Sequence, residues 1–142
     1  MPNAIRCALL LVAMLTAGIA AAGDALAPAA IPLSRGRLFE AQGGAALFAS
    51  VCAGCHQPDA SGASGAAAYP ALAENGNVAS ADYMERLLLN GQRGMPPVGQ
   101  MMSDQQIADL INYVRTHFGN AYGEAVSPED VEAARRQTGS SP

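Results

Sequence analysis

Cys52-Ala53-Gly54-Cys55-His56 is the stretch of this chain whose spacing carries chemistry. Two thiols at i and i+3, followed at once by an imidazole, can form thioethers with the two vinyl groups of a haem while the next side chain turns its ring beneath the iron. Ala53 and Gly54 are small enough for the backbone to wrap that closely. A bare Cys-x-x-Cys has two other readings. A thioredoxin-like dithiol wants a βαβ context, and the sequence shows no alternating strand pattern. Half of a zinc site wants two further ligands, and only His117 and Cys7 remain to supply them. The spacing favours one haem c, bound covalently through Cys52 and Cys55, with His56 as an iron ligand.

The flanking sequence is helical. Ala45, Phe48, Ala49 and Cys52 recur at helical spacing, widened by Leu47 and Val51, which predicts a short amphipathic helix from about Ala41 to Ala53. From Gln57 to Asn77 the chain is rich in Gly, Ala, Ser and Pro without any period, so a long loop is expected. Ser80 is a good N-cap for a helix from about Ala81 to Leu89, with Gly91 just past its end and Tyr83, Met84, Leu87 and Leu88 on its buried side. The strongest helical signal runs from Asp104 to Phe118. Ser103 and Gln106 form a capping box there, Ile107, Leu110, Ile111, Val114 and Phe118 make one apolar stripe, and Gly119 ends it. Ser127-Pro128-Glu129-Asp130 starts a last short helix, with Arg135 and Arg136 suited to its C-terminal end and Gln137 to Pro142 expected to fray. The fold class is all-α.

Composition limits what such a chain can do. Its 142 residues make one small domain, and all eight basic residues are Arg against twelve acids, a formal net charge of -4. That balance argues against unaided nucleic-acid binding, which needs a basic surface. Half the residues are hydrophobic, with Ala the commonest of them, 5% aromatic and no Trp. A large apolar cofactor would supply the centre of a core that so few bulky side chains could not build alone.

Arg6 precedes an uncharged apolar run from Cys7 to Ala22, with Ala20-Ala21-Ala22 before Gly23-Asp24, the pattern of a cleaved secretory signal over residues 1–22. The run is shorter than the roughly 20 apolar residues that span a bilayer, although a retained anchor is the alternative. Cys7 stands at the start of the run and not at the cleavage point, so a lipoprotein reading does not apply. Cleavage would leave seven Arg against twelve acids, a formal -5, in a periplasmic protein with no membrane span. Residues 23–35 hold two prolines and no period, and read as a linker.

A haem iron with a proximal His needs a second axial ligand or stays open. Of the six Met, Met1 and Met14 fall in the signal and Met84 sits among helix packing positions. Met95 lies in Asn90-Gly91-Gln92-Arg93-Gly94-Met95-Pro96-Pro97-Val98-Gly99, where glycines allow close approach to a flat ligand and prolines stiffen the loop. Met95 is the expected ligand, with Met101 and Met102 as alternatives. His117 reads as a solvated residue at a helix C-terminus, bis-His ligation being the alternative.

At this point the sequence resembles the class I cytochromes c, from about Gly36 to Asn120. Gly44 and Phe48 look like the first-helix residues that cross a Leu and an aromatic of the last helix, here Leu110 and Tyr113. Tyr69-Pro70-Ala71-Leu72 resembles the segment whose proline carbonyl accepts a hydrogen bond from the proximal imidazole, which makes Pro70 a site residue. Gly94-Met95-Pro96-Pro97 followed by Met102-Ser103-Asp104 looks like the Met-Pro loop and capped last helix of small bacterial members, in support of Met95. The resemblance implies a cytochrome c fold of three to five short helices around one covalently attached haem c, over residues 36–120, with 121–142 as a C-terminal extension. It implies a one-electron carrier with His56 and Met95 on the iron and no catalytic residues. A periplasmic dehydrogenase or membrane oxidoreductase would be donor and a terminal oxidase acceptor, the carrier being a monomer or a subunit. The leader and the tail after Asn120 resemble extensions on cytochromes that partner periplasmic dehydrogenases, so a dedicated dehydrogenase subunit is the second reading. An open-site haem enzyme or gas sensor, with Met95 off the iron, is the third.

Overall fold

A computed structural model describes residues 38–139. The signal over 1–22 and the linker over 23–35 lie outside the described residues, as do the last three residues of the chain. Among the described residues there is no extended strand; Ala63 with Tyr69 and Gln92 with Met95 form isolated bridges.

The first helical segment begins after Gly43, whose φ of 77° few other residues adopt. It runs from α1 (Gly44–Leu47) through a π-helical turn (Phe48–Cys52) into α2 (Ala53–His56). The helix expected over 41–53 therefore starts later and extends through the whole thiol and imidazole pattern. Ser50 Oγ donates to the carbonyls of Ala46, at 2.8 Å, and Leu47, at 3.3 Å, inside the widened turn. Such back-bonding competes with the regular ladder, and π turns cluster at functional sites.

Ser80 caps α3 (Ala81–Asn90), its side chain accepting from the Tyr83 N–H at 3.2 Å, and Gly91 stops it with φ 68°. Met84, Glu85, Leu88 and Leu89 are the residues it buries, so the inward stripe is rotated from the expected one and Tyr83 and Leu87 are half-buried. The 3-10 turns Gly76–Ala79 and Val98–Met101 flank this helix in the chain.

Both arms of the expected capping box form on α4 (Asp104–Thr116): the Gln106 N–H donates to Ser103 Oγ at 3.2 Å and the Ser103 N–H to Gln106 Oε1 at 2.8 Å. Gln106 Nε2 also donates to the carbonyls of Phe39 and Ala41, fixing the start of the domain on this helix. Ile107, Leu110, Ile111 and Val114 are fully buried. The helix ends at Thr116 rather than Phe118, because His117 is extended and Phe118 takes φ 59°. Phe118 instead lays its ring on Phe48, with centroids 4.6 Å apart. α1 crosses α4 at Gly44, where a Cβ would fall 2.3 Å from both the Asp109 carbonyl oxygen and Tyr113 Cβ. Only glycine permits that approach.

The last helix, α5 (Pro128–Thr138), carries Pro in its first turn and a reciprocal box between Ser127 and Asp130. It packs on α3 and α4, buries Val131 and Arg135, and is closed by Gly139 at φ 67°. Gln137 and Thr138, expected to fray, belong to the helix. Arg135 joins this extension to the domain, since Nε donates to Asp104 Oδ1 at 2.6 Å and Nη2 to the carbonyls of Met102 and Gly99 at 2.6 and 3.0 Å.

Arg135→Ala should lower unfolding stability by about 2–3 kcal/mol, because it strips charged hydrogen bonds from buried carbonyls. Arg136→Ala, whose pairing with Glu132 is solvent-exposed, should change it by less than about 0.5 kcal/mol. Urea unfolding of the two variants side by side measures the difference.

Candidate haem-binding site

Cys52 closes the π turn, and Cys55 and His56 sit on α2, so a single helical segment presents all three groups. Both thiols are free, Cys55 exposed and Cys52 half-buried. Burial, with the neighbouring Cys55 sulfur adding to it, pushes the Cys52 thiol up to about 12. Dithiol oxidoreductases depress the pKa of the attacking thiol, the opposite direction. Immediately after His56 the chain reverses at Gln57, φ 69°.

His56 Nδ1 lies 2.9 Å from the carbonyl oxygen of Pro70. A carbonyl only accepts, so Nδ1 carries the proton and Nε2 keeps its lone pair, the tautomer an iron-bound imidazole requires. The segment from 57 to 75, expected as a long loop, is a tightly bonded strap that delivers this carbonyl. The Gly62 N–H donates to the His56 carbonyl at 2.9 Å, and Ala63 and Tyr69 exchange backbone bonds at 3.0 and 2.8 Å. The buried Ala60 carbonyl accepts from the N–H groups of Leu72 and Ala73. Gly62 has φ 72°, and a Cβ there would come within 2.4 Å of the Tyr69 oxygen, 2.6 Å of the Ala71 nitrogen and 2.7 Å of the Pro70 carbonyl carbon. Sequence reasoning missed Gly62, since nothing in Ser61-Gly62-Ala63-Ser64-Gly65 separates it from Gly65, where a Cβ would meet nothing within 4 Å. It missed Asn120 as well. Asn120 Oδ1 accepts from the Asn75 N–H, and Asn120 Nδ2 donates to the carbonyls of Leu72 and Val114.

Met95 sits in a tight turn in which the Gln92 and Met95 backbones exchange hydrogen bonds of 3.0 and 2.9 Å, with Arg93 at φ 53°. Gly91 is required beneath it, because a Cβ there would lie 2.5 Å from the Met95 carbonyl oxygen. Met95 is half-buried, whereas Met84 and Met102 are absorbed into the core and Met101 is 38% exposed. His117 Nδ1 lies 2.9 Å from the Tyr113 carbonyl oxygen and its ring stacks on Tyr113 at 4.0 Å, which holds it at the end of α4.

The donors brought together suit a haem c: two sulfurs and an imidazole with Nε2 free come from one helical segment. Among the described residues no cluster of three or more His, Cys, Asp or Glu side chains could hold a bare metal ion. None of the described helices is long and apolar enough to cross a membrane.

A domain of helices that brings a Cys-x-x-Cys-His segment under a proline carbonyl is a c-type cytochrome, and the comparisons with known proteins agree. The chain belongs to the family described as cytochrome C oxidase, cbb3-type, subunit III, whose model matches residues 39–114. It is 36% identical over 117 residues to the fructose dehydrogenase cytochrome subunit of Gluconobacter japonicus, covering 72% of this chain and 24% of that protein. It is 32% identical over 109 residues to the gluconate 2-dehydrogenase cytochrome c subunit of Pantoea cypripedii, covering 68% of this chain and 25% of the relative. The cytochrome c subunit of a quinone alcohol dehydrogenase from Gluconacetobacter polyoxogenes is 30% identical over 105 residues, covering 65% of this chain and 22% of its own length. The chain thus spans about a quarter of the length of these curated relatives. Membership in a cytochrome c family supports haem c as the cofactor and electron transfer as the role.

Gly62→Ala should cost about 1–3 kcal/mol of stability, from the strained φ and the overpacked strap. Gly76→Ala, with open space at its Cβ and no positive φ, should cost less. Thermal unfolding of the two variants gives the comparison.

Proposed function

We propose that this chain is the haem c domain of a dehydrogenase cytochrome subunit, taking single electrons from the dehydrogenase's cofactor and passing them toward a membrane or high-potential acceptor. The observation that carries the reading is the His56 Nδ1 bond to the Pro70 carbonyl directly behind a Cys-x-x-Cys pair, an arrangement that serves an axial imidazole. A haem c, when bound, supplies one-electron exchange between Fe(II) and Fe(III).

The work of this chain is to hold and tune that group. Cys52 and Cys55 would anchor it as thioethers, and His56 Nε2 would donate to the iron while Pro70 keeps the proton on Nδ1. Met95 would hold the iron through its thioether, which would favour the ferrous state relative to a second imidazole. With His56 and Met95 both holding the iron, no position would be left for a substrate, and the chain would serve electron transfer. Residues 1–22 would direct export to the periplasm.

Sequence reasoning placed a freely diffusing carrier first and a dedicated dehydrogenase subunit second. The relatives, named as cytochrome subunits of fructose, gluconate and alcohol dehydrogenases, favour the second. Charge placement supports the same choice. Asp59 is the only Asp, Glu or Arg from Cys52 to Ala73, and Arg93 the only one from Gly91 to Met102. The acidic excess sits elsewhere, so the segments that would flank the haem suit a close, weakly charged contact better than long-range electrostatic steering.

Protein made with haem-attachment machinery should keep its haem through acid-acetone extraction and show, in the ferric form, the red-end absorption of Met ligation. Met95→Ala should lose that band, while Met101→Ala and Met102→Ala keep it. Retention in Met95→Ala overturns the ligand assignment. A high-spin ferric wild type would favour the open-site enzyme or sensor, and absence of haem would return the dithiol reading.

A further inference from the structure

We infer that Asn120 is a positioning residue for His56, setting the reduction potential of the site from outside it. The inference rests on the haem c reading above and concerns a residue that touches neither thiol nor imidazole. Asn120 is buried, 6% exposed, just past the end of α4. Its side chain is fully engaged: Nδ2 donates to the carbonyls of Leu72 at 2.8 Å and Val114 at 2.9 Å, and Oδ1 accepts from the Asn75 N–H at 3.1 Å. Leu72 and Asn75 lie two and five residues beyond Pro70, the acceptor for His56 Nδ1. The neighbouring Phe118 carbonyl accepts from the Glu74 N–H at 3.0 Å, and Asn75 Nδ2 returns to the Ala71 carbonyl at 2.6 Å. One amide thus fastens both ends of the run from Leu72 to Asn75 to the last turn of α4, and the Pro70 carbonyl stands two residues before that run.

The physical consequence follows from the hydrogen bond. A firmly held acceptor on Nδ1–H makes the imidazole a stronger base toward iron and favours Fe(III). Freeing the strap weakens that bond and shifts the equilibrium toward Fe(II). Asn112 provides a matched comparison. Its side chain also makes two backbone bonds, donating to the Val126 carbonyl and accepting from the Val126 N–H, each at 2.8 Å. It fastens the start of the C-terminal extension and does not touch the strap.

The test uses the haem-loaded full chain. In Asn120→Ala the Fe(III)/Fe(II) equilibrium should move severalfold toward Fe(II), tenfold corresponding to about 59 mV for one electron, and the His56 Nδ1 proton should exchange faster with solvent. Asn112→Ala should lose stability with its potential and Nδ1 exchange unchanged. An unchanged potential in Asn120→Ala, or an equal shift in Asn112→Ala, overturns the inference. Should Asn120→Ala fail to fold, Asn120→Ser is read in the same way. Native-state exchange in the wild-type ferrous protein needs no variant: the His56 Nδ1 proton and the Asn75 amide should share one opening free energy, and separate openings contradict the proposal. A wild type lacking covalent haem would instead refute the haem c reading itself, so the two failures are distinguishable.

Discussion

The hydrogen bond from His56 Nδ1 to the Pro70 carbonyl fixes which imidazole nitrogen is left free, and three parts of the chain converge to hold it. The helical segment 44–56 carries the ring, the strap from 57 to 75 carries the carbonyl, and the turn after α4 carries the amide that fastens the strap. A neutral imidazole left in solution exchanges its proton between two nitrogens, whereas this one is committed before any iron is added. The close crossing of α1 and α4 at Gly44 serves the same end, because it places Phe48 against Tyr113 and Phe118 and so sets where the helical segment points.

The packing shows how a domain with few large side chains reaches stability. Leu47, Leu89, Ile107, Leu110, Ile111 and Val114 form a small aliphatic centre, and Val131 and Met102 extend it. Around that centre the chain relies on side-chain amides and guanidinium groups that bind the backbone at two or more points: Gln106, Asn112 and Arg115 on α4, Asn120 just past it, and Arg135 on α5. Buried donors of this kind are expensive unless satisfied, and each one therefore specifies its local geometry strongly.

Much of this was legible in the sequence, for identifiable reasons. Cys52, Cys55 and His56 lie within five residues of one another on one helical segment, and the capping boxes at Ser103 and Ser127 depend on contacts within one turn. Features set by distant contacts were not legible. The periodic stripe ran on to Phe118, but the ring is pulled out of the helix by Phe48, seventy residues upstream in the chain. Gly62 and Asn120 look like ordinary loop residues until the strap is folded beside them. The helix of the C-terminal extension was legible from its caps but its docking was not, because Arg135, which sequence places only at a helix C-terminal end, finds its partners about thirty residues away.

These features describe an electron-transfer domain whose fold is organised around presenting one imidazole and two sulfurs in fixed relation, within a family whose named relatives serve dehydrogenases. The most direct test of that account is the mass of the tryptic peptide Leu38–Arg86, which contains Cys52, Cys55 and His56, taken after full denaturation and reduction. The account predicts that the peptide retains the added mass of one haem and offers no thiol to an alkylating reagent. A peptide of unmodified mass with two alkylatable thiols, from protein made where haem attachment operates, would contradict it.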